Sequence, residues 1–364
     1  MKKKFISWAS TKIFGNEKNL INNSINSSWI SGGSFIQKFE NKLSNYLNAR
    51  YCFLTCNGTA ALHLAFLACG LKHGDEIIVP GFGYLAAANI GSLMGLKIKF
   101  ADVDKDSYCL SVASVKEIIT KKTKAVVTIN TYGNMHELND LSKILKQKKI
   151  LMIEDAAESF GSKYLNKQSG TFGDIGTFSF HATKNITTGE GGLVVTNNKK
   201  FTKNLALYRS HGVIKKRYFH LVPGHNFRLT NFQAAMGYAQ LSKIEYIIKK
   251  RKQIYQTYIK EFNKIAKSQT ISKNCKFVPW TFAIEVGKKF KFSRDKIISK
   301  LKKVGIETRN GFYSPNNLKI FNKTKSLYNS DYLSKHIICL PIHLNMNNLD
   351  VKRIVKEVIK LSNK

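Results

Sequence analysis

The sequence predicts an α/β protein: a mostly parallel central sheet flanked by helices, followed by a smaller C-terminal α/β domain. Three observations lead there. Short apolar runs of strand length alternate with helix-like segments over the first two thirds of the chain. Strands separated by helices need crossover connections, which build parallel sheets covered on both faces. The 364 residues, 43% of them hydrophobic, can bury a large core and a smaller one, and they exclude a disordered or low-complexity chain.

In chain order, strands are expected at Glu76–Val79, Ile98–Ala101, Ala125–Ile129, Ile150–Glu154, Gly176–Phe180 and Leu193–Thr196. Helices are expected at Thr59–Cys69, Tyr84–Met94, Val112–Thr120, Leu138–Lys146 and Lys199–Tyr208. The uncharged stretch Ile77–Leu96 has the length of a membrane span. Pro80, four glycines and Asn89 interrupt it, so it reads as strand, Gly-rich loop and helix. From Thr230 to Phe262 the pattern is helical throughout, starting at an N-cap residue, Thr230 or Asn231. The expected division is a large domain with an N-terminal arm over 1–245 and a small domain over 246–364.

Charge is the outlying quantity. Lys and Arg number 59 against 23 acidic residues, a net +36, yet only eight of the 59 are Arg. Nucleic-acid surfaces cluster their cations and interleave Arg and aromatics, whereas these lysines are spread along the chain. They read as a solvated surface that attracts phosphorylated small molecules, with no specific nucleic-acid partner. The six cysteines form no CxxC pair and no metal-ligand pattern, so free thiols and no metal are expected. The N-terminal segment has no apolar signal core, and a cytoplasmic, membrane-free protein is expected.

The chemistry concentrates in three segments. In residues 170–198, Lys184 sits in a loop between two apolar strands, beside Thr183, Thr187, Thr188 and Gly189. A lysine at a strand end of a parallel sheet reaches the ligand crevice, where burial lowers its pKa and its amine can form a Schiff base with an aldehyde. The competing reading is surface decoration. Twenty-nine residues upstream, Asp155 ends a buried strand in ILMIEDAAESFGS. It is either a helix N-cap or the acidic partner of a pyridine nitrogen. Lysine and aspartate at two strand ends are the arrangement expected for pyridoxal phosphate. In CNGTAALHLAFLACG, Gly58 and Thr59 open a helix after a short strand, where backbone amides can bind a phosphate or simply be capped. Ser179 can add a hydroxyl to that phosphate. Phe82 either stacks on a flat ring or packs in the core.

These segments carry a resemblance. SSWISGGSFIQKFE (27–40), NGTAALHLA (57–65), EDAAESFGS (154–162), GTFSFHATKNITTGEGG (176–192), GHNFRLTNFQAAMGYAQL (224–241) and GIETR (305–309) resemble, in order and over nearly the whole chain, the DegT/DnrJ/StrS family of nucleotide-sugar aminotransferases. The resemblance implies fold type I of the aminotransferases and pyridoxal 5'-phosphate as cofactor. It implies that Lys184 carries the Schiff base and moves protons, and that Asp155 pairs with the pyridine nitrogen. Glu158 would lie near the ring oxygen, where many relatives have Gln. Gly58, Thr59 and Ser179 would bind the phosphate, Phe82 would stack on the ring, and Asn226 would reach the cofactor phosphate of a partner subunit, making a homodimer. His211, Arg228 and Arg309 are expected at substrate anionic groups, with structural roles as the alternative for His211 and Arg228.

Within the family, residues 29–40, 215–231 and 305–309 look closest to the perosamine-forming branch, which aminates a 4-keto-6-deoxyhexose on a nucleoside diphosphate with glutamate as donor. Two departures bear on the substrate. Gly83 stands where relatives commonly have Thr, and NGFYSPNN (310–317) stands where PFFYP followed by His is usual. A dehydratase branch replaces the Schiff-base lysine with His; Lys184 argues against that chemistry. A cofactor-sensing or nucleic-acid-binding protein on the same scaffold is the non-enzyme alternative.

Overall fold

The computed structural model describes residues 4–324 and 327–363. Its central sheet has seven strands: β1 (Tyr51–Thr55), β2 (Glu76–Pro80), β3 (Lys97–Ala101), β4 (Thr123–Ile129), β5 (Leu151–Asp155), β6 (Ile175–Ser179) and β7 (Gly192–Thr196). Their spatial order is β1-β7-β6-β5-β4-β2-β3. Strands β2 to β6 run parallel, and β7 lies antiparallel to both neighbours. All six expected strands are present, with ends shifted by at most two residues. β2 and β7 are buried at every position, as strands covered on both faces must be.

Alternation along the strands decides which face each residue serves. Ile77, Val79, Val127, Ile153 and Ile175 pack against helices Gly58–Ala68 and Ala86–Leu93. Ile78, Val126 and Met152 point the other way, to helices Val112–Ile118 and Leu138–Gln147. The uncharged stretch is therefore β2, a loop and a short helix. Among the described residues no helix is long and apolar enough to cross a membrane.

One expectation is corrected. Thr230–Phe262 is not one helix but two, Asn231–Leu241 and Ile244–Phe262, broken at Ser242 and Lys243. The Ser242 hydroxyl donates back to the Tyr238 carbonyl, which Lys42 Nζ also bonds, so a helix carbonyl is diverted where the helix ends. The second helix serves two cores. Ile244 and Ile247 pack beneath the large sheet. Ile254, Tyr258 and Phe262 pack in the C-terminal core.

That C-terminal unit is built on an antiparallel sheet of β8 (Lys267–Ser268), β9 (Phe282–Glu285), β10 (Arg309–Asn310) and β11 (Ile337–Leu340), in the order β8-β9-β11-β10. The N-terminal arm belongs to it in space. Ile6 bridges Ile306 through two backbone hydrogen bonds of 2.9 Å and is buried in the same core.

Candidate functional site

The site forms where β5, β6 and the β1–helix turn end at one edge of the sheet. In the strand register Thr55 and Ser179 both face Gly192, which brings residues 56–59 beside Ser179. Asn57 caps the following helix, taking the Ala60 amide on Oδ1 at 2.8 Å and the Ala61 amide on its carbonyl at 3.1 Å. The amides of Gly58 and Thr59 have no acceptor among the described residues and line the cavity. Gly58 is needed for packing: a Cβ there would lie 2.8 Å from Ser179 Cβ. The Ser179 hydroxyl accepts from the His181 amide at 3.3 Å, which leaves its proton to donate.

Asp155 is the last residue of β5 and shares its face with Ile153. The preceding Glu154 faces the opposite side, where Asn130 and the amides of Gly170 and Phe172 satisfy it at 2.7–2.8 Å. Turns rather than a helix follow Asp155, and among the described residues its carboxylate accepts only the Ala157 amide, at 3.0 Å. Burial pushes its carboxyl up to about 6, against the opposing pull of that amide and Lys184. Glu158 accepts the Tyr132 amide at 2.8 Å, and burial pushes it up to about 7. Burial lowers Lys184, with Glu158 and Asp155 opposing. Neither acid comes within 4.0 Å of its amine among the described residues. Lys184 lies in a loop tied by Thr187 Oγ1 and the Thr188 amide to the Phe180 carbonyl, and by Asn185 Nδ2 to the Phe160 carbonyl, all at 2.9–3.0 Å.

One cavity of about 1190 Å³ joins Gly58, Thr59, Asp155, Glu158, Ser179 and Lys184; Asn226 and Arg309 also line it. Arg309 is paired with Glu307 at 2.8 Å, and Asn226 is exposed, its Oδ1 taking Arg228 Nε at 3.0 Å. Three expected residues lie outside the lining. Phe82 is wholly buried, set edge-on against Tyr108, Tyr132 and Phe312. It cannot stack on a ligand, because the aromatic cluster encloses it. Tyr84, 64% exposed, is the aromatic of that loop that lines the cavity. His211 and Arg228 meet each other at 3.4 Å on the exposed segment where Ser210 pairs with Asn226, next to but not among the lining residues.

Sequence reasoning also missed Trp8, Tyr132 and Trp280, all in the lining. Trp8 arrives on the N-terminal arm, held by its amide to Glu307 Oε2 at 3.0 Å.

The residues fit pyridoxal phosphate. The unpartnered amides and the Ser179 hydroxyl suit a phosphate at a helix N-terminus. A lysine of lowered pKa suits an aldehyde. The buried Asp155 suits a protonated ring nitrogen, and the buried Thr177 hydroxyl beside it in the register has no partner among the described residues.

Comparison with known proteins agrees. GDP-perosamine synthase of Escherichia coli is 37% identical over 324 residues, covering 88% of each chain. GDP-perosamine synthase of Caulobacter vibrioides is 32% identical, covering 96% of each. Among solved structures, Helicobacter pylori PseC, an aminotransferase involved in the biosynthesis of pseudoaminic acid, superposes with a TM-score of 0.92 at 28% identity over 99% of each chain. The E. coli GDP-4-keto-6-deoxy-D-mannose-3-dehydratase with bound hydrated PLP does so at 0.89 and 25% identity, over 97% of this chain and 99% of that one. The sequence matches the DegT/DnrJ/EryC1/StrS aminotransferase family over residues 12–359. With a pyridoxal-phosphate site assembled at the strand ends and that match along its length, the chain belongs to this family of sugar aminotransferases.

Proposed function

We propose that the chain moves an amino group from glutamate to carbon 4 of a nucleotide-linked 4-keto-6-deoxyhexose, with a product of the GDP-perosamine type. The observation that carries the reading is the meeting of Lys184, Asp155 and Glu158 with the Gly58 and Thr59 amides in one cavity. Its volume accommodates a cofactor and a nucleotide sugar together. Relatives at 32–37% identity are named GDP-perosamine synthase, which supports the product class.

When bound, pyridoxal phosphate supplies an aldehyde that exchanges amino groups and a ring that takes up negative charge. The chain's residues do the rest. The Gly58 and Thr59 amides and the Ser179 hydroxyl would hold the phosphate. Asp155 would keep a proton on the ring nitrogen. Glu158, with a carboxyl near neutrality, would donate toward the ring oxygen. Lys184 Nζ, once free, would take the proton from the donor's α-carbon and later return one to the sugar's carbon 4. Tyr84 offers the ring face that Phe82 does not. Arg309 would meet substrate anions.

The reading includes a homodimer in which Asn226 serves the partner's site. Trp29 and Ile30 are 69% and 51% exposed, and Phe232 is partly so; such an apolar surface supports a second copy. Arg228 Nε holds the Asn226 side chain by its Oδ1 at 3.0 Å. Work on nucleotide sugars by a chain with six free thiols fits the cytoplasm.

The test is the absorbance spectrum of the purified protein before and after glutamate, beside Lys184→Ala. The wild type should show a visible band that glutamate removes, and the variant none. A reconstituted wild type without a band would end the reading. A band that glutamate leaves alone would move it toward dehydration. Keto-sugars on GDP, UDP and dTDP would then rank the substrates.

A further inference from the structure

Lys184 Nζ lies 4.0 Å from the centre of the Trp280 ring. The same indole donates its Nε1–H to the Thr183 carbonyl at 2.9 Å, one residue before that lysine. Trp280 is itself fixed on every side. Its amide donates to the Tyr132 carbonyl at 3.1 Å, and its carbonyl accepts from the buried Arg251 at 3.0 Å. Tyr132 stacks on it at 6.2 Å and 26°, and Trp8 meets it edge-on at 5.5 Å and 87°. A cation over an indole face is attracted by the ring quadrupole, more strongly when water is excluded.

We propose that Trp280 is a positioning residue for Lys184: its ring face holds the ammonium, and its N–H holds the loop, whenever the amine is free between the two halves of the reaction. The proposal rests on the reading of Lys184 as the Schiff-base lysine. The charged groups facing the amine are Asp155, at the end of β5, and Glu158, in the turn after it. On the other side Trp280 and Trp8 carry no charge, and Arg309 packs on the Trp8 ring at 5.8 Å. The ring face therefore opposes the effect of burial and keeps a proton on the amine without an ion pair to trap it. An amine bonded tightly to either acid would have to break that bond at each turnover.

The test uses the full-length chain freed of cofactor. Lys184 is modified with acetic anhydride across a pH series and followed by peptide mass spectrometry, in the wild type, Trp280→Leu and Trp280→Phe. Trp280→Leu should lower the midpoint of Lys184 modification by about one pH unit, and Trp280→Phe, which keeps a face but loses the N–H, by roughly half of that or less. An unchanged midpoint in Trp280→Leu, or an equal fall in both, overturns the proposal. Where Trp280→Leu does not fold, Trp280→Met takes its place, with the same expectation. A wild type that forms no borohydride-reducible link to Lys184 on return of pyridoxal phosphate would instead end the Schiff-base reading. An intact link with an unmoved midpoint ends only the role of Trp280.

Discussion

At the scale of single residues, the site depends on burial outweighing charge pairing. Glu158 is 3% exposed, and its carboxyl is held at about 7. In the unfolded chain it titrates at about 4.3. The folded state binds this proton more tightly, so its stabilising contribution is full below pH 4 and is lost as pH rises through 7. Glu158→Gln is neutral throughout. Cofactor-free Glu158→Gln should therefore gain on the wild type by about 3 kcal/mol between pH 4 and pH 8, read from denaturant unfolding at each pH. Parallel pH curves would show that Glu158 is ionised in the fold. Gly58→Ala forces Cβ to within 2.8 Å of Ser179 Cβ, among the groups proposed to hold the phosphate. Its affinity for pyridoxal phosphate should fall about tenfold or more, a cost of roughly 1–3 kcal/mol from overpacking. Unchanged affinity by absorbance titration would place the phosphate elsewhere. The sequence fixes the acids and the lysine by their places at strand ends, but not the aromatic. Phe82 and Tyr84 both follow β2, and only the packing of Phe82 against Tyr108, Tyr132 and Phe312 decides which one reaches the cavity.

At the scale of elements, the helix Gly58–Ala68 joins core and site. Leu62, Leu64 and Phe66 are buried, each worth about 1.5–3 kcal/mol of apolar transfer. Asn57 starts it with a side-chain cap. Asn57→Ala should cost about 1 kcal/mol in denaturant unfolding and weaken cofactor binding, because the same cap sets the direction of the Gly58 and Thr59 amides. Lost stability with unchanged affinity would separate the cap from the cradle. The alternation of apolar runs made this helix and its strand legible. The break at Ser242 was not, because the helical pattern continues through it and the competing donor comes with Lys42, 200 residues away. The arm is a similar case. Trp8 reaches the cavity only because Ile6 pairs with Ile306 and Glu307 bonds the Trp8 amide.

At the scale of the whole molecule, the question is where Asn226 acts. It lines the cavity of its own chain, on an exposed segment. Mixing Lys184→Ala and Asn226→Ala subunits separates the two readings. If Asn226 serves the partner, each mixed dimer has one intact site, and refolding at equal ratio should recover about a quarter of wild-type activity. If it serves its own chain, no recovery follows. The +36 charge belongs to this scale too. Spread as lysines, it should raise the apparent affinity for nucleotide sugars at low salt and lose that effect as salt screens it.

The sequence by itself determined six strands of the sheet, Asp155 at a strand end, Lys184 in the loop between two strands and the helix start at Gly58. These follow from local rules: period-two burial, capping chemistry and the crevice at the carboxyl ends of parallel strands. Only the tertiary structure decided that Tyr84 and not Phe82 lines the cavity, that Trp280 lies against the lysine with Trp8 packed on Trp280, and that His211 and Arg228 lie outside the cavity lining. Each of those outcomes rests on contacts between segments far apart in the chain, and a local pattern carries no record of which distant side chain fills a given space.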